Sequence, residues 1–141
     1  MTKEFQRRLA RHYDELKWLY TELYRDGGAF GDFVEMLKRC WAARKTALRE
    51  QDARREEDPG WYRRRDLLGM MLYVDAFAGS LRGAREKLPY LRECGVNYLH
   101  LMPLLDSPRG RSDGGYAVSD FRSVQPRLGD MEDLEDLADA C

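Results

Sequence analysis

Apolar positions recur at three- and four-residue steps through the front of the chain. Phe5, Leu9, Tyr13, Leu16, Tyr20 and Leu23 fall on one face of a helix, which Gly27 and Gly28 stop. A second helix is predicted from Asp32, whose carboxylate can cap free amides while Glu35 completes a capping-box pair. Phe33, Met36, Leu37, Cys40 and Trp41 form its predicted buried face. The segment ARKTALREQDARREEDPG is charged on all sides and reads as a solvated helix ended by Pro59-Gly60.

The pattern changes near Leu67. The run LLGMMLYVDAFAG suits a strand buried on both faces around Met70–Asp75. Ser80 then opens a helix with Leu81, Ala84, Leu88 and Leu91 inward, and Gly95 takes the left-handed position at its end. A second buried strand, VNYLHLMP, stops at Pro103. After it come a polar, Gly-rich stretch and a last helix opened by Asp130, with Asp133 at the capping-box position. Met131, Leu134, Leu137 and Ala138 are its predicted inward residues. The order strand–helix–strand–loop–helix predicts parallel strands joined by right-handed crossovers. Two such strands expose apolar faces and edges, so further strands are expected beyond Cys141. On this reading, amides within 1–50 exchange more slowly than those within 70–104.

Composition sharpens the picture by exclusion. Charged residues make up 35% of the 141, yet the formal net charge is -1, which gives no electrostatic reason to expect nucleic acid or an anionic membrane as partner. No apolar run approaches the roughly 18 residues that span a bilayer, and the N-terminus has no apolar signal core, so a cytoplasmic location is expected. Cys40, Cys94 and Cys141 have no metal-ligand or redox spacing and read as reduced thiols. No metal or other cofactor is expected. His100 sits in a strand pattern and reads as a core histidine, Asp75 at the end of the first strand as structural. Taken alone, Asp113 before Gly-Gly is a turn residue and Tyr116 a strand aromatic.

The stretch from YVDAFAG through NYLHLMPLL to SDGGYAVSDF resembles the start of the catalytic barrel of amylosucrases, members of the alpha-amylase superfamily, glycoside hydrolase family 13. The wording GGYAVS is particular to amylosucrases and the similar sucrose hydrolases. KRCWAARKTALREQDARREEDPGWY is similar to the helical N-terminal domain of that subgroup. The resemblance implies an α/β architecture: a helical domain over 1–66, then over 67–141 the first two βα units of an incomplete (β/α)8 barrel. It also implies sucrose cleavage with retention and transfer of glucose to an α-glucan or to water. Retention needs two carboxyls roughly 5 Å apart. In the family these lie on the fourth and fifth strands, so the chain alone is expected to be inactive and to contribute no catalytic residue. Asp113 and Tyr116 match family residues that shape the glucosyl pocket, the tyrosine as a stacking platform and the aspartate at the pocket base. Sucrose and α-glucan are the implied partners of the complete enzyme. The alternatives are a non-catalytic helical interaction module, or part of a sucrose hydrolase or another superfamily member.

Overall fold

The structure, a computed structural model, describes residues 3–25 and 27–141. The chain divides between Trp61 and Tyr62 into two compact units, each with its own packing.

The first unit is helical: α1 (Lys3–Tyr24), α2 (Phe30–Ala43) and α3 (Thr46–Glu57). Its apolar contacts are mostly aromatic. Phe30 is buried and meets Tyr13 and Tyr20 edge-on at 5.5 and 5.4 Å, while Tyr20 stacks on Phe33 at 5.2 Å. That insertion starts α2 at Phe30, ahead of Asp32. Asp32 therefore lies in the first turn, and the predicted cap is not formed. Met36 and Cys40 face solvent, contrary to expectation, because the helix turns its Phe30–Phe33 edge inward. Trp41 is half-buried, with the Arg8 guanidinium 4.8 Å and that of Arg49 5.7 Å from its ring centre. Helix α3 buries no residue. Ion pairs hold it instead: Arg44 grips Asp52 with bonds of 2.6 and 2.8 Å, and Glu56 meets Arg7, Arg8 and Arg11 at 3.2, 3.0 and 3.3 Å.

The second unit pairs β1 (Gly69–Leu72) with β2 (Tyr98–Leu101) in parallel, with Leu72 opposite Leu101. Asn97 ties the strand entries together. Its Oδ1 accepts from the Leu68 amide at 2.8 Å and its Nδ2 donates to the Asp66 carbonyl at 2.6 Å. Strand β1 is shorter than expected, because the backbone turns into α4 (Val74–Ala78) and carries Asp75 into a helical first turn. Both strands are covered on one face only. Leu72, Leu99 and Leu101 pack against the core, while Met71, Tyr98 and His100 on the alternate face are exposed. His100 is thus not a core histidine among the described residues.

The connection between the strands behaves as its caps dictate. The Ser80 hydroxyl accepts from the Gly83 amide at 3.1 Å, opening α5 (Leu81–Glu86). Pro89 has no amide to continue the ladder, so the expected single helix breaks at Lys87 and resumes as α6 (Leu88–Glu93). Leu81, Ala84, Leu88 and Leu91 are all buried, and Gly95 is left-handed as expected.

The Gly-rich stretch carries a short antiparallel pair absent from the sequence reading, β3 (Leu105–Asp106) and β4 (Asp120–Val124). Helix α7 (Met131–Ala140) starts with the predicted reciprocal capping box of Asp130 and Asp133. Its buried side is Leu137 and Asp133. Met131 and Ala138 are exposed, because the Arg82 side chain reaches Asp133 at 2.5 Å and rotates that edge toward α5. The core cluster joins Val74, Leu81, Leu88, Val124, Leu128 and Leu137.

Candidate functional site

The loops that follow β1 and β2 in the chain leave the same end of the parallel pair, where the Met102 amide donates to the Leu72 carbonyl at 2.9 Å. In barrels and open parallel sheets alike, that end carries the binding groups. Three segments meet there: Tyr73–Asp75 after β1, residues 106–116 after β3, and Gln125–Arg127 after β4.

Backbone geometry sets the middle segment. Asp113, Gly114 and Gly115 all have positive φ, at 46, 67 and 96°. Gly115 is buried against Pro103, where an added Cβ would sit 2.8 Å from the proline Cβ. A side chain there is excluded by space as well as by conformation. The turn closes with Gly115 N–H donating to Ser112 O at 2.9 Å and Ala117 N–H donating to the same oxygen at 2.9 Å. Burying Gly115 pushes the Tyr116 ring outward, leaving the residue 64% exposed. The ring borders an apolar cleft of about 320 Å³ with His100, Met102, Pro103 and Leu105.

A second cleft of about 560 Å³ lies on the other side of Gly115. Asp75 and Arg127 form an ion pair on its wall, and Arg127 Nε also donates to Gln125 Oε1 at 2.9 Å. The Arg127 hydrogen bond holds the Asp75 carboxyl below its ordinary range, outweighing the opposing effect of burial, with a lesser contribution from the Ala76 amide. Asp106 accepts from the Ser119 hydroxyl at 2.8 Å.

Asp113 and Tyr116 thus share one turn, with Tyr116 N–H donating to the Asp113 carbonyl at 3.3 Å. Asp113 itself lines neither of these two clefts, whereas its neighbours Ser112 and Gly114 line the larger one. No motif or spacing in the sequence singles out Arg127 or Gln125, and Asp75 reads there as structural. The signal available was only that Asp75 follows a strand. Among the described residues no group of three or more His, Cys, Asp or Glu is placed to hold a metal, and no helix is long and apolar enough to cross a membrane.

Residues 18–141 match the family model for the alpha-amylase catalytic domain. A trehalose synthase of Thermus thermophilus is 42% identical over 84 residues, covering 55% of this chain and 8% of that protein. The salivary alpha-glucosidase of Aedes aegypti is 40% identical over 63 residues, 45% of this chain and 10% of its own length. Among solved structures, the isomaltulose synthase of Protaminobacter rubrum superimposes with a TM-score of 0.46 at 28% identity, over 53% of this chain and 14% of that one. The chain therefore spans about a tenth of the length of these curated relatives. With a match that runs from α1 to the last residue, the chain belongs to the alpha-amylase catalytic-domain family.

Proposed function

We propose that this chain is the opening portion of an amylosucrase-like enzyme that cleaves sucrose and passes glucose to an α-glucan. Residues 1–66 form its helical domain and 67–141 the first two βα units of its (β/α)8 barrel. Asp113 and Tyr116 contribute to the glucosyl pocket. The parallel β1–β2 pair, its helical crossover and the loops at one strand end support this reading. The observation that carries it is the SDGGYAVS turn, whose run of left-handed residues buries Gly115 and presents the Tyr116 ring to a cleft. An exposed ring on a rigid turn suits stacking on the C–H face of a sugar, and a carboxylate on the same turn can accept from its hydroxyls. The bond-making steps belong to paired carboxylates on later strands of such a barrel. The relatives are named for trehalose and for α-glucosides, which favours an α-linked glucoside as the common substrate class.

The test uses the polypeptide carrying these residues within a complete barrel, offered sucrose, trehalose and isomaltose separately. Fructose release with glucan formation is expected from sucrose. Tyr116→Ala should lower kcat/KM about ten- to a hundredfold through a lost stacking surface of about 1–3 kcal/mol, with the melting temperature retained. Asp113→Ala should lower it further. Turnover of trehalose or isomaltose without sucrose cleavage would replace amylosucrase by another member of the family. Unchanged kcat/KM in both variants would remove the pocket assignment.

A further inference from the structure

We infer that residues 62–69 are a processing segment, in which an endopeptidase with a carboxylate in its specificity pocket hydrolyses the Arg64–Arg65 bond and severs the helical unit from the strand-bearing one. The stretch YRRRDLLG opens the second unit, at the point where the chain divides. Each of its residues faces solvent, and it is the longest unbroken exposed run among the described residues. Exposed polar joints between compact units are where chains are nicked, because a protease must draw several residues into its cleft in extended form. Regular structure resists little here. One short 3-10 turn covers Trp61–Arg63, and β1 begins only at Gly69.

The arginines supply the recognition. A guanidinium meets a carboxylate through paired hydrogen bonds, so an arginine seated in an acidic pocket fixes the bond that follows it. Adjacent basic residues occur elsewhere, but the fold withholds them. Arg7–Arg8 lies in α1, Lys38–Arg39 in α2 and Arg54–Arg55 in α3, where helical hydrogen bonds must break before the backbone can extend. At Arg44–Lys45 the Arg44 guanidinium is already engaged by Asp52 at 2.6 and 2.8 Å, and the Arg44 carbonyl accepts from Arg49 Nε at 2.8 Å. Within the segment, Arg63 belongs to the 3-10 turn and lies over the Tyr62 ring at 5.3 Å. On the far side Asn97 clamps the Asp66 carbonyl at 2.6 Å and the Leu68 amide at 2.8 Å. Arg64 lies past the turn and ahead of the clamp. Water adds across the bond that follows it. The water oxygen joins the Arg64 carbonyl carbon to give a carboxylate, the Arg65 nitrogen leaves as an amine carrying the proton, and nothing is oxidised or reduced.

This inference does not rest on which glucoside the complete barrel takes. It is tested on the 141-residue chain with a low ratio of trypsin, following the products by intact mass. Fragments 1–64 and 65–141 should appear first, about tenfold faster than any other cut. Replacing Arg63, Arg64 and Arg65 together by Gln should prolong the life of the intact chain about tenfold, with its circular dichroism unchanged. Asn97→Ala keeps every arginine and should speed the cut about fivefold by freeing residues 66–68. The inference is overturned if the first cut falls after Arg54 or Arg55 in α3, or after Arg109 or Arg111. It is also overturned if the triple variant disappears as fast as the native chain. An unchanged rate in Asn97→Ala would overturn the assignment of residues 66–68 to the segment that the protease draws in.

Discussion

Gly115 decides how the site is presented. Its φ of 96° and its contact with Pro103 leave no room for a methyl group, since the added Cβ would fall 2.8 Å from the proline Cβ. Gly115→Ala should cost about 1–3 kcal/mol in the second unit, read as a lower urea midpoint, and should change the environment of Tyr116. An unchanged midpoint would mean that Pro103 yields freely. Asp133 poses a different problem at the same scale. Its carboxylate accepts from the Asp130 amide at 3.3 Å, completing the capping box of α7, and from Arg82 at 2.5 Å, and the Arg82 bond lowers its pKa from the ordinary 3.8. A depressed folded value stabilises the fold at pH above the unfolded value of 3.8, and that stability is lost as pH falls through the folded value. Asp133→Asn should therefore flatten the loss of stability on acidification below pH 3.8, measured as urea midpoints across that range. A slope as steep as that of the native protein would show that other carboxylates dominate. Caps of this kind were legible in the sequence at Ser80, Gly95 and Asp130, because a cap is decided by residues within a turn of it. Asp32 misled for the converse reason. A distant aromatic contact at Phe30 set the start of that helix, and no local pattern records it.

Among elements, α2 shows why a helical period is not a burial map. Phe33, Met36, Leu37, Cys40 and Trp41 have the spacing of one face, yet the residue that buries most is Phe30, 4% exposed, while Met36 is 41% exposed. Phe30 closes a ring of contacts with Tyr13, Tyr20 and Phe33. Phe30→Ala should destabilise the helical unit by about 3–5 kcal/mol. Met36→Ala should change it by less than about 0.5 kcal/mol. Far-UV circular dichroism melts of the two variants compare them directly, and equal losses would contradict the aromatic cluster as the unit's main apolar contact. The strands misled in another way. Their apolar runs predicted burial on both faces, but the helices α5–α7 cover only one, so Met71 and His100 face solvent. The antiparallel β3–β4 pair escaped the reading because β3 has only two residues, too few for a period to register.

For the molecule as a whole, what the sequence carried well was the family signature and the strand–helix–strand order. What it carried poorly was where the burial lies. The front helices, with their long apolar spacing, were expected to be the better protected part, yet among the described residues of the first unit only Phe5 and Phe30 are buried. The second unit holds Leu81 at 0%, Ala84 at 2%, Leu88 at 6% and Leu91 at 3% exposure on one continuous crossover. Helix α3 has no buried residue, and ion pairs with solvent-facing partners hold it, which contribute little once water and salt compete. Local opening follows burial and not helical period, because an amide exchanges when its own segment unfolds. Amides of residues 84–88, 90 and 91 should therefore exchange more slowly than those of 50–57, on the order of a hundredfold, the ratio that about 3 kcal/mol of extra opening energy gives. The gap should widen at high ionic strength, since salt screens the Arg44–Asp52 and Glu56 contacts but leaves the Leu81–Leu91 packing intact. Equal protection in both segments, or protection of α3 that survives salt, would show that α3 is secured by more than its charges.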